Sequence, residues 1–97
     1  MVIPSEFKLF NQTIKVKYSR TLIDKQGAFG LWDYNKNQIT LQQSTRAHKL
    51  TQNQINQTFL HEVTHACLDH MGHHELSADE KFVSVFSNLI HQFIGDE

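Results

Sequence analysis

The chain has 97 residues, 39% of them hydrophobic, with a formal net charge of −1 and one cysteine. That is enough for one domain with a single core and too little for a separate substrate domain, and one thiol excludes an internal disulfide. The charge is unevenly spread: residues 1–50 hold eight Lys/Arg against Glu6, Asp24 and Asp33, whereas residues 51–97 hold Lys81 against seven acids.

Taken in chain order, the first half reads as strands. Phe7 to Phe10 and Thr13 to Tyr18 alternate with period two around a turn at Asn11-Gln12. Phe29 to Tyr34 and Gln38 to Leu41 flank Asn35-Lys36-Asn37, a hairpin loop because asparagine tolerates positive φ. Gly27 and Gly30 permit a bend leading into it, and Gln42 to Lys49 reads as an irregular link or short helical turn. Among the basic residues no arginine cluster or interleaved aromatic pattern supports a nucleic-acid face, although an accessory protein using that half stays open.

A helix start follows. Thr51 is placed as N-cap, Gln54 completes a capping box, and Leu50 and Ile55 form a staple. Ile55, Phe59, Val63, Ala66 and Cys67 recur at helical spacing as a core-facing stripe, with Gly72 as the stop. Within this helix His61-Glu62-Val63-Thr64-His65 reads HExxH. Imidazoles four apart share a face, so both can hold a zinc ion at roughly 2.0–2.1 Å while the Glu62 carboxylate reaches a water on that ion. Glu62 is then the general base.

Beyond Gly72, Phe82, Phe86, Leu89 and Phe93 define the apolar face of a second helix, and extending that face backwards reaches Asp79 and Glu75. Two carboxylates directed at a neighbouring helix are costly unless paired or metal-bound. Ser77-Ala78-Asp79-Glu80 is also a capping box that would start the helix at Ser77 and leave Glu75 in the preceding turn. His70, His73 and His74 are further candidates for a third ligand.

HExxH followed by Glu75-Leu76-Ser77-Ala78-Asp79-Glu80-Lys81-Phe82 resembles the ImmA/IrrE-type metallopeptidases of phages and bacteria, and more distantly the thermolysin-like zincins. SprT-like proteases, with histidine as third ligand, are the competing resemblance. The first resemblance covers the chain from Thr51 onward. It implies zinc on His61, His65 and Glu75, with Asp79 orienting a histidine from behind. It also implies an edge strand, here supplied by the Phe29–Leu41 hairpin, on which a peptide substrate adds by main-chain hydrogen bonds. Tyr34, His70, His73 and His74 are candidates for stabilising the oxyanion.

The expectation is therefore an α+β zincin-like domain over residues 1–97: a small antiparallel sheet of three or four strands, the HExxH helix and a second long C-terminal helix. The function expected is zinc-dependent hydrolysis of peptide bonds in a protein substrate, with transcriptional regulators the class that the resemblance suggests. A non-catalytic zinc-binding scaffold acting through a protein partner is the alternative. No apolar run reaches the ~20 residues that span a bilayer, and no signal-peptide layout opens the chain, so a cytoplasmic protein is expected.

Overall fold

In a computed structural model of the chain, which describes residues 1–95, the first half forms four strands: β1 (Glu6–Leu9), β2 (Gln12–Ser19), β3 (Gly30–Asp33) and β4 (Gln38–Gln42), with a short helix α1 (Leu22–Gln26) between β2 and β3. The second half forms α2 (Gln52–His70), α3 (His74–Ser77) and α4 (Glu80–Ile94). The domain expected over 1–97 ends in Asp96 and Glu97, which lie outside the described residues. The architecture is α+β, as the sequence implies.

The strand order is β1-β2-β4-β3. Two pairings are hairpins. β1 and β2 turn at Phe10-Asn11, both at positive φ, where the twist of a two-residue hairpin requires it. The turn thus falls one residue earlier than the alternation places it. β3 and β4 pair antiparallel, with Asn37 at φ 49° in their connection. The central β2–β4 pairing is parallel, so the sheet is mixed rather than antiparallel. The cause is the connection: α1 and β3 intervene, and the β3–β4 hairpin returns β4 in the direction of β2. Alternation places side chains on faces but carries no sign of strand direction, and α1 lies in a stretch without such alternation.

Ile14 and Val16 of β2 and Ile39 and Leu41 of β4 are buried against Ile55, Phe59 and Leu60 of α2. Phe7 of β1 meets Phe59 edge-on at 6.1 Å. β3 and β1 are the two edges of the sheet, and β3 is the one that runs beside the motif helix.

Both ends of α2 are closed by the signals in the sequence. Thr51 Oγ1 accepts from the Gln54 amide at 3.1 Å and Gln54 Oε1 accepts from the Thr51 amide at 2.8 Å. At the other end Gly72 adopts φ 83°, and the amides of His73 and Gly72 donate to the Leu68 and Asp69 carbonyls, a Schellman closure.

The second helix departs from expectation. α4 starts at Glu80, not Ser77, with Asp79 as N-cap accepting from the Phe82 amide at 3.1 Å. Residues 74–77 form the separate turn of α3. Val83, Ser87 and His91 are the buried residues of α4, while Phe86, Leu89 and Phe93 face outward. The apolar stripe is therefore the solvent face, and the face that meets α2 lies about a third of a turn away. No helix among the described residues is long and apolar enough to cross a membrane.

Candidate metal centre

α2 places His61 and His65 one above the other, ring centroids 5.0 Å apart, at a cleft of about 560 Å³ between α2, β3 and the start of α4. Running the buried face of α4 back from Ser87 and Val83 reaches Glu80, and its side chain arrives at both imidazoles. Oε1 lies 3.1 Å from His61 Nε2 and Oε2 lies 3.1 Å from His65 Nε2. The ligand atoms offered by His61, His65 and Glu80 all fall within 4.8 Å of one another.

These distances bear on whether a cation fits. Ligand atoms on a tetrahedral zinc at 2.0–2.1 Å stand roughly 3.3 Å apart, so the two N···O separations already approximate edges of such a shell. The hydrogen bonding of His65 adds to this. With Ser77 Oγ donating to the His65 carbonyl at 3.4 Å, the oxygen is free to accept from His65 Nδ1 at 3.1 Å in the tautomer that carries its proton there. In the neutral ring Nε2 then carries a lone pair aimed at a carboxylate oxygen. A lone pair and a carboxylate repel unless a proton or a metal ion lies between them. Burial, and next the neighbouring His65, lower the pKa of His61, against the pull of Glu80. The lowered pKa favours the neutral nitrogen that a metal requires. Two imidazole nitrogens and a carboxylate are a donor set that suits zinc.

Glu62 is 7% exposed and lines the same cleft. Burial, with Glu80 adding repulsion, pushes its carboxyl up to about 7. Its position depends on Gly30 of β3. A Cβ there would lie 3.0 Å from Glu62 Cγ and Oε2 and 2.5 Å from Thr58 Cγ2, so only glycine lets the edge strand run this close to the helix.

Three sequence assignments change. Glu75 is not at the histidines: it borders a separate depression with Gly72, His73, His74, Leu76 and Asp79, because the α3 turn carries it away from α2. Asp79 caps α4 instead of orienting an imidazole, and Ser77 bonds His65 in its place. His70 and His74 do not approach the pair either, since His70 Nε2 meets Asn37 Oδ1 at 2.8 Å and His74 Nδ1 meets Asp69 Oδ1 at 2.9 Å. None of Tyr34, His70, His73 and His74 lines the cleft.

Asp69 is a site-building residue that the sequence reading passes over. Its Oδ2 accepts from Trp32 Nε1 of β3 at 2.8 Å while Oδ1 meets His74 of α3, so one carboxylate one turn beyond His65 ties the edge strand and the following turn to the motif helix. An acid four residues after a motif histidine was the available signal. Cys67 is half-buried and burial raises its pKa, which fits packing rather than reactivity.

No protein-family model, curated protein or solved structure gives a significant match to this chain.

Proposed function

We propose that this protein is a zinc-dependent peptide hydrolase whose metal ligands are His61, His65 and Glu80. The observation that supports it is the meeting of two HExxH imidazoles with a carboxylate from a second helix, beside a buried Glu62 and an edge strand. Zinc held there would supply Lewis acidity toward a scissile carbonyl and lower the pKa of a nearby water toward ~7. Glu62 takes the proton of the attacking water at its carboxylate and returns it to the leaving amine. Gly30, Leu31 and Trp32 line the cleft on the free side of β3, where an extended peptide pairs its backbone with the strand. Recognition of this kind reads main chain more than side chain, so the substrate class is an extended protein segment.

Glu62→Gln tests the reading. After equilibration with zinc, wild type and variant should both hold near-stoichiometric metal, and the variant alone should fail to cleave a denatured protein substrate. Cleavage that survives the substitution, or wild type that takes up no zinc, would refute the proposal. A zinc-dependent binding module without catalysis is the second reading, favoured because no phenol or imidazole other than the two histidines lines the cleft to stabilise an oxyanion. In that case neither form cleaves, and zinc is retained in both.

A further inference from the structure

α4 buries one face and leaves its most apolar one in solvent. Phe86, Leu89 and Phe93 are 43%, 58% and 86% exposed, and Val85 beside them is 51% exposed. With Phe82, the three fall at successive intervals of four, three and four residues, the heptad spacing that keeps a seam along one side of a helix. Phe82 and Phe86 stack at 5.8 Å with an interplanar angle of 11°, so part of the seam is already ordered. These side chains expose on the order of 500 Å² of apolar surface, at the upper end of what a monomer carries as one patch.

We propose that this stripe is the interface of a homodimer in which the α4 helices of two copies pack seam to seam. Three features select a second copy over a different occupant. The first is area: two stripes would together remove about 1,000 Å² from water, the lower bound of a specific interface and appropriate to a reversible dimer. The second is spacing, since an isologous contact needs a patch complementary to itself, and heptad knobs on one helix fit the holes of an identical one. The third is charge. From Phe82 to Ile94 the helix carries no Lys, Arg, Asp or Glu, whereas mixed helix pairs and membrane-surface helices are selected through charges flanking the apolar seam. The seam points away from Glu80 and its histidines, so pairing leaves both clefts open and does not depend on the hydrolase reading.

Sedimentation equilibrium from about 1 to 500 μM, the range in which an interface of this size dissociates, tests the proposal. The mass of wild type should rise from 11.3 kDa toward twice that value. Leu89→Lys/Phe93→Lys should remain monomeric throughout, with unchanged far-UV circular dichroism and zinc content, because both side chains are exposed. Mixing it with Leu89→Glu/Phe93→Glu should restore the dimer. A wild type that stays monomeric, a dimer that survives the lysine substitutions, or a mixture that fails to reassociate would overturn it. So would a monomer that binds uncharged phosphatidylcholine vesicles through the stripe, which would assign the face to lipid.

Discussion

Glu62 carries its proton to about pH 7 because the fold removes it from water and sets Glu80 beside it, whereas in the unfolded chain it ionises near 4.5. Its folded pKa is raised, so the unfolded state binds fewer protons between these values and stability must fall as pH rises through them. In the metal-free protein this loss should amount to about 3 kcal/mol, accumulated between pH 4.5 and 7 and complete above. Urea unfolding of the chelated protein across that range measures it, and Glu62→Gln should flatten the slope. A slope that survives the substitution would assign the pH dependence to another group. At Glu80 the comparison is with Glu75. Glu80→Ala removes one of the three proposed ligands and should weaken zinc binding at least tenfold, while Glu75→Ala should leave zinc affinity within a factor of two, both read by competition with a chromogenic chelator. Loss of zinc in Glu75→Ala alone would contradict the geometry.

Elements decide which of these residues meet, and here the sequence is legible in parts. The caps of α2, its HExxH face and the β1–β2 and β3–β4 hairpins all follow from local signals, because caps, turns and alternation act over a few residues. The register of α4 does not. Its strongest apolar face was expected to pack on α2, yet Val83, Ser87 and His91 do so, with Gln57 Nε2 donating to Ser87 Oγ at 3.4 Å. Reading back from Phe82 reaches Asp79 and Glu75, and reading back from Val83 reaches Glu80. One residue of register therefore decides which carboxylate meets the two histidines. Periodicity reports that a helix has an apolar face, not what that face meets. The close approach of β3 to α2 is equally hidden in the sequence, where Gly30 marks only a place for a bend. Gly30→Ala should destabilise the protein by about 1–3 kcal/mol by driving a methyl into Thr58 Cγ2, and Gly30→Ala/Thr58→Ser, which removes that methyl, should recover part of the loss in urea unfolding. If the double variant is no more stable than the single one, the contact at Thr58 is not the source of the cost.

At the scale of the whole molecule, the candidate centre lies where the first turn of α4 meets α2, at the rim of the core rather than within it. The sheet and α2 share a continuous apolar cluster on which Ile90 of α4 packs, but the face that α4 turns to α2 also holds Ser87 and His91 beside Val83, and its first residue, Glu80, is two-thirds exposed. A chain of this size has a small core, so a cation that bridges α2 to α4 should count for a large share of its stability. Zinc that binds the folded chain and not the unfolded one stabilises it by RT ln(1 + [Zn]/Kd), about 2.7 kcal/mol at a hundredfold excess over Kd. For a domain near 100 residues this corresponds to a rise in Tm on the order of 10–20 °C. The rise should be absent in His61→Ala/His65→Ala and much reduced in Glu80→Ala, and scanning calorimetry of each with and without zinc reads it directly. Because α4 is the element that the proposed ion would fasten, hydrogen exchange should slow most in its first turn on adding zinc. Protection confined to α2 would mean that the two histidines bind the metal without Glu80, and the bridge between the helices would not exist.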